Sequence, residues 1–222
     1  SSTAPIIAYQ FNPLENVGVF SNDASLLLPT EALASRYLVP SWPQTLARTE
    51  LSETNAGIHL RAFLTIVGTE DGTTVDVHLS TAILGGNDIP AAAAGDDLTF
   101  TLDRFEIVNL ETDGFNADFT GSSVVARDNK RVAVFTGSEA SDAPRFDTLA
   151  TRRCCADHLE EQVFPEDSLG THFVAVKTPL RSKLVDAAGW DVSIVPDEPE
   201  YWRVMATQDP TAITTNLPPP ND

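Results

Sequence analysis

The stretch FLTIVGTEDGTTVDVHL, residues 63–79, constrains the fold more than any other. Short runs rich in β-branched and aromatic residues, 63–68 and 73–79, flank Glu70-Asp71-Gly72. Such runs read as strands, and Asp-Gly supplies the positive φ of a tight turn. Two further strand–turn–strand segments follow: residues 98–102 and 106–110 around Asp103-Arg104, then 123–126 and 131–135 around Asp128-Asn129. Each is read as a β-hairpin. Upstream, residues 5–11 (PIIAYQF) and 36–39 read as strands, 24–28 as an apolar run and 30–34 as one helical turn. Residues 40–57 are polar and rich in Pro, Ser, Thr and Glu, the composition of a long exposed loop. Gly85-Gly86-Asn87 and the alanines of residues 91–94 are too small to fill a core and read as a surface excursion. Helical periodicity is almost absent. With 222 residues, 42% of them hydrophobic, the chain can bury a real core. The pattern predicts an all-β protein of sandwich-like modules, with a propeller-like arrangement as the alternative.

The chain also repeats itself. PIIAYQF is similar to RVAVFTG, setting Tyr9 against Phe135. LLPTEALASRYLV is similar to VFPEDSLGTHFVA, setting Pro29 against Pro165, Leu33 against Leu169 and Tyr37 against Phe173. FLTIVGTEDGTTVDVHL is similar to YWRVMATQDPTAITTNL, setting Asp71 against Asp209 and Val75 against Ile213. Three blocks in one order at nearly one spacing predict modules that share an interface. The expected division is a first β module over residues 1–130 and a second over 131–217, incomplete and sharing strands with the first. That makes about one and two-thirds copies, the later one ending before any counterpart of the 98–110 hairpin. Residues 218–222 form a Pro-rich tail, read as a stiff exit toward more protein.

Charge narrows the partners. Lys and Arg number 14 against 32 Asp and Glu, a formal net charge of -18. Such a field repels phosphate backbones and anionic membranes, so neither nucleic acid nor membrane insertion is expected. No apolar run approaches the length of a membrane span. There is no phosphate loop, dinucleotide fingerprint, Gly-x-Ser-x-Gly or set of paired zinc-finger cysteines.

Four segments carry a family likeness: SNDASLLLP (residues 21–29), TIVGTEDGTTV (65–75), DFTGSSVVARDNKRVAVFTG (118–137) and CCADHLEEQVFP (154–165). In these the chain resembles the N-terminal domain family of the IgGFc-binding protein, in the form of a bacterial secreted or surface member. The resemblance implies a secreted or surface-exposed β module without assigned catalysis. It does not by itself imply antibody binding, because function is grafted on folds rather than fixed by them. In the family pattern a further cysteine follows the strand ending at Gly137; here Ser138-Glu139-Ala140 stands there, leaving the disulfide pairing open.

The candidate chemistry clusters between residues 154 and 161. Cys154 and Cys155 are adjacent. Their Cα atoms sit about 3.8 Å apart across a trans peptide, below the usual disulfide range, so a bond between them would be strained and easily reduced. A vicinal disulfide, pairing to other cysteines of a longer protein, and free thiols all stay open; a nucleophile formed by Cys155 with His158 has no supporting signature. Asp157, His158, Glu160 and Glu161 are the densest set of metal-ligand types. On a helical turn Asp157 and Glu161 share a face, as do His158 and Glu161, and a calcium ion or another divalent cation would suit them. The plain alternative has the acids solvate a short helix, and no cofactor is required. Asp23 and Asp118 read as Asx-turn caps. His78 and His172 fall in expected strands, as does Trp202, which reads as core; Trp42 and Trp190, in polar loops, read as binding-surface aromatics.

These readings favour a non-enzymatic module of a secreted or cell-surface protein, contacting an extracellular protein or glycan in adhesion or matrix, within a longer chain or assembly. An inert structural spacer and a glycoside hydrolase with an acidic pair are the alternatives.

Overall fold

The runs read as strands alternate in burial. The computed structural model describes residues 2–11, 23–46, 59–143, 147–148, 151, 156–189 and 200–216. In chain order the strands are β1 (Ala8–Phe11), β2 (Ala24–Leu27), β3 (Arg36–Leu38), β4 (Thr45–Leu46), β5 (His59–Leu60), β6 (Ala62–Gly68), β7 (Thr73–His78), β8 (Asp97–Leu102), β9 (Ile107–Glu111), β10 (Ser123–Ala126), β11 (Val132–Ser141) and β12 (Asp157–Gln162), followed by one helix, α1 (Arg181–Ala187). On β6 the side chains of Ala62, Leu64 and Ile66 are wholly buried, while Phe63, Thr65 and Val67 between them are half-buried on the opposite face.

Two antiparallel four-stranded sheets form the body, in the orders β3-β10-β7-β8 and β12-β11-β6-β9. Their inner faces make one core: Tyr37, Val39, Val75, Val77, Leu102 and Val124 from the first sheet's side, Leu64, Ile66, Val108, Leu110, Val132 and Val134 from the second. Burying each such aliphatic side chain contributes about 2 kcal/mol. Tyr37 spans the layer with its hydroxyl satisfied on both sides, donating to the Val132 carbonyl at 2.6 Å and accepting from the Ala34 N–H at 3.1 Å. The fold is all-β and sandwich-like; the described residues do not form propeller blades.

The three strand–turn–strand segments are bounded to within a residue, except that β11 runs on past 135 to Ser141, but they are differently paired. β6 and β7 do not form a hairpin with each other: β6 pairs β9 and β11, while β7 pairs β8 and β10. The turns at residues 69–72, 103–106 and 127–131 cross from one sheet to the other. Sequence cannot distinguish a hairpin from such an arch, because in both each strand needs one apolar face and the link needs turn residues. Gly68 marks the crossing: a Cβ there would collide with the Asp103 carbonyl oxygen. The only ladder closed by its own link within the first sheet, β7–β8, is joined by the excursion holding the small residues of 85–95, whose exposed alanines match the surface reading.

Other expectations are corrected. The supposed exposed loop at 40–57 is mostly buried over its described part, residues 40–46: Ser41, Gln44, Thr45 and Leu46 are buried and Trp42 half-buried, while Pro40 is exposed. Gln44 accepts from the Thr112 hydroxyl at 2.6 Å, and Thr45 donates to Asp142 at 2.6 Å, so polar residues enter the core by pairing with one another. His172 and Trp202 are in no strand. Trp202 is 44% exposed rather than core. The division into modules over residues 1–130 and 131–217 is a separate matter: it had the second share strands with the first, and β11 and β12 stand in one sheet with β6 and β9.

Candidate binding surface

The outward face of the β12-β11-β6-β9 sheet holds an open depression of about 280 Å³ lined by Arg61, Phe63, Thr65, Asn109, Glu111 and Glu139. Register brings them together from β6 (Phe63, Thr65), β9 (Asn109, Glu111) and β11 (Glu139), with Arg61 between β5 and β6. Phe63 is opposite Glu111 on β9 and opposite Gly137 on β11, and Thr65 is opposite Asn109. Antiparallel partners point to the same face, so the odd residues of β6 gather polar neighbours on one side and an aromatic on the other. Gly137 makes the aromatic floor: a Cβ there would lie within 2.8 Å of the Phe63 ring and on top of the Leu159 carbonyl oxygen. With only hydrogen at that position, the Phe63 ring reaches across β11 and stacks with the His158 imidazole, centroids 6.5 Å apart and planes 24° from parallel.

Polar groups rim this floor. Arg61 donates from Nη1 to the Thr112 carbonyl at 2.9 Å, with Nε 3.5 Å from Glu111; its backbone N–H donates to Glu139 at 2.9 Å. Thr65 donates to Asn109 Oδ1 at 2.6 Å, and Asn109 Nδ2 to Glu111 at 3.3 Å. His158 Nδ1 lies 3.3 Å from the Glu139 carbonyl, and Nε2 lies 4.0 Å from Glu160. The surface thus offers a stacking platform beside a guanidinium, an amide and carboxylates, chemistry that suits a sugar ring or a polar peptide.

The sequence-predicted residues divide. Asp157, His158, Glu160 and Glu161 lie on a strand, not on a helical turn. Alternation then sends His158 and Glu160 to the outer face and Asp157 and Glu161 to the other. Among the described residues no three His, Cys, Asp or Glu side chains gather as a metal-binding group. Glu160 instead takes a hydrogen bond from Gln10 at 2.8 Å, and burial, with Asp23 and Glu160 adding negative charge, pushes the Glu161 carboxyl up. Trp42 donates its indole N–H to the Asp142 carbonyl at 2.7 Å, and the Arg203 guanidinium covers its ring at 4.6 Å. Asp118 behaves as the expected Asx cap, accepting from the Thr120 N–H at 2.9 Å, and also holds Arg203 at 2.7 Å. Asp23 accepts the Ala24 N–H at 2.8 Å. Cys154, Cys155 and Trp190 lie outside the described residues, as does the Pro-rich tail. Sequence reasoning singled out His158 but missed Arg61, Phe63, Asn109 and Glu139; only Phe63, on the outward half of β6, had a local signal, and the others are brought to it by pairing with β9 and β11.

A family model described as IgGFc binding protein matches residues 23–222. The chain belongs to that family. The human (Homo sapiens) IgGFc-binding protein is 29% identical over 162 residues, which cover 72% of this chain. The chain spans about 2% of the length of that relative. No solved structure matches significantly. Every residue lining the depression falls inside the IgGFc-binding match, whereas β1 precedes it. Among the described residues no helix is long and apolar enough to cross a membrane.

Proposed function

We propose that this IgGFc-binding family member is a non-enzymatic contact module of a larger secreted or cell-surface protein, binding an extracellular protein or glycan through the Phe63 depression. The observation that carries this reading is the Phe63–His158 stack, an aromatic floor in the outward face of a rigid sheet with donors and acceptors on its rim. Rigid strands hold such a surface ready, so little ordering entropy opposes binding. Adhesion or matrix attachment is the setting in which an acidic, sandwich-built contact module would serve. The human relative's name describes binding to IgG Fc, so immunoglobulin Fc belongs among the ligands to try first.

The test is an array of extracellular matrix proteins, immunoglobulin Fc and glycans, probed with the wild-type chain, Phe63→Ala and Asn109→Ala. Asn109 is exposed on β9, so its loss leaves the fold intact. The expected result is binding to at least one class, weakened roughly 10-fold or more by either change. Uniformly flat arrays sink the binding reading and leave an inert spacer. Glu111 and Glu139 line the same depression, both engaged by Arg61, so the array is run beside a reducing-sugar assay. Sugar release abolished by Glu139→Gln would replace the contact module with a hydrolase.

A further inference from the structure

We infer that the chain holds two copies of one module that exchange their first hairpins: β11–β12 completes the first body, and β1–β2 is the seat for residues 201–206 of the second. The inference rests on register and is independent of the binding surface proposed above. Take the sequence equivalents Tyr9 with Phe135 and Pro29 with Pro165. Every pair of the β1–β2 ladder then lands on a contact between β11 and β12. Tyr9↔Leu26 becomes Phe135↔Gln162, Gln10↔Ser25 becomes Thr136↔Glu161, and Phe11↔Ala24 becomes Gly137↔Glu160. Ala8↔Leu27 becomes Val134 and Val163, joined by the Val163 N–H to the Val134 carbonyl at 2.8 Å. A one-residue slip would break this correspondence throughout.

The agreement continues past both hairpins. Each runs from a proline into a 3-10 turn, Thr30–Ala32 after Pro29 and Glu166–Ser168 after Pro165. Dihedrals at the two prolines (φ -63, ψ 151 and φ -68, ψ 157) and at Leu33 and Leu169 (φ -77, ψ 153 and φ -72, ψ 148) nearly coincide. The two hairpins also face each other. β2 lies along β12, with Asp23 accepting the Glu160 N–H at 2.9 Å, Ser25 the Gln162 N–H at 2.7 Å, and Gln162 the Leu28 N–H at 2.6 Å. Equivalent strands running side by side in the same direction, each with its own hairpin partner on the far side, fit a local two-fold axis along the strands. That axis carries β11 onto β1, and therefore carries the partner of β11 onto the partner of β1.

The partner of β11 is β6. Among the described residues β1 pairs only with β2, and apolar residues in it and just before it are bare: Phe11 is 69% exposed and Ile6 71%. The sequence equivalent of β6 is YWRVMA, residues 201–206, which lies in no strand and leaves Trp202 and Val204 exposed. Carrying the β6–β11 register across pairs Phe11 with Tyr201, Tyr9 with Arg203, Ala8 with Val204 and Ile6 with Ala206. In that register Trp202, Val204 and Ile6 occupy the places of Leu64, Ile66 and Val132, all fully buried in the first body. The exchange covers these apolar residues with one another, and requires Arg203 to leave Asp118 and the Trp42 ring.

The experiment is disulfide trapping in the intact chain with Cys154 and Cys155 replaced by serine. Directly opposed residues of antiparallel strands have Cβ atoms about 5 Å apart, close enough to bridge under mild oxidation. Phe11→Cys with Tyr201→Cys is expected to crosslink within one chain at least roughly 10-fold more than the out-of-register pair Phe11→Cys with Val204→Cys, the ratio of a 1.4 kcal/mol preference. Equal yields, no crosslink, or a crosslink joining two chains overturns the exchange. Hydrogen exchange on the unsubstituted chain guards against misfolded variants: slowed amides at residues 201–206 support the pairing, and exchange at the intrinsic rate rejects it.

Discussion

Gly137 carries more of the candidate site than any residue that touches a ligand would. It is buried although its position faces outward, because Phe63 crosses above it toward His158. A methyl group there must displace the Leu159 carbonyl and the Phe63 ring together, and one of those is backbone. Gly137→Ala is therefore expected to destabilise the fold by about 3 kcal/mol, the upper range for overpacking a tight site. Denaturant melts measure it, and a loss under about 0.5 kcal/mol, the range of neutral surface changes, would show that β12 is not held against β11 as described. Sequence revealed the kind of residue in this region better than its geometry. His158 and its acidic neighbours stood out as a cluster, yet a strand places alternate members on opposite faces. Arg61, Asn109 and Glu139 come together only through the β6 register with β9 and β11, a long-range pairing with no local signature.

At the scale of elements, strands rich in β-branched and aromatic residues were legible to within a residue or two, while what each paired with was not. β6 through β10 follow such runs and their turn residues. β12 does not: its Asp-His-Leu-Glu-Glu-Gln reads as a capped helical turn, and pairing with β11 overrides that local preference. The charge cost of this override gathers where β2 meets β12. Glu161 is raised above the ordinary carboxyl range, first by burial and then by Asp23 and Glu160. A group whose folded value is raised favours the fold below its unfolded value and loses that contribution as pH climbs through the folded one. Ionised Glu161 thus works against the seam at neutral pH. Glu161→Gln is expected to raise the melting midpoint slightly at pH 7, solvent around the exposed carboxylate screening most of the effect, with the gap closing as acid protonates the wild-type carboxyl. An equal or lower midpoint at pH 7 would mean that the β2 seam does not press on this carboxylate.

For the whole molecule, the sandwich is bound by an apolar core and opposed by its own charge. A formal charge of -18 on 222 residues means that carboxylates repel across every exposed face, and compaction brings them closer. Salt screens that repulsion over distances of about 10 Å at 0.1 M. The melting midpoint should accordingly rise between low and moderate ionic strength, and rise again on acidification from pH 7 toward the isoelectric region near 4.4. Further acid must reverse the trend, because some carboxylates are bound more tightly in the fold than out of it. Asp76 on β7 takes the Arg127 guanidinium with both oxygens, at 2.8 and 2.7 Å, and the Thr99 hydroxyl at 2.7 Å. These partners, Arg127 foremost, hold its carboxyl down at about 2. With the folded value depressed, its contribution is present above the unfolded value and lost as pH falls through the folded one, between about pH 4 and about 2. The same clamp ties β7 to the turn that leads from β10 across to β11, so its loss loosens a crossing between the sheets. Melts at low salt from pH 7 to 2 should trace a maximum near pH 4 and a fall below it, with the fall shallower in Asp76→Asn, which has no proton left to take up. A curve that declines steadily from pH 7 would mean that paired carboxylates outweigh the net repulsion, and a fall unchanged in Asp76→Asn would place the acid-sensitive clamp elsewhere.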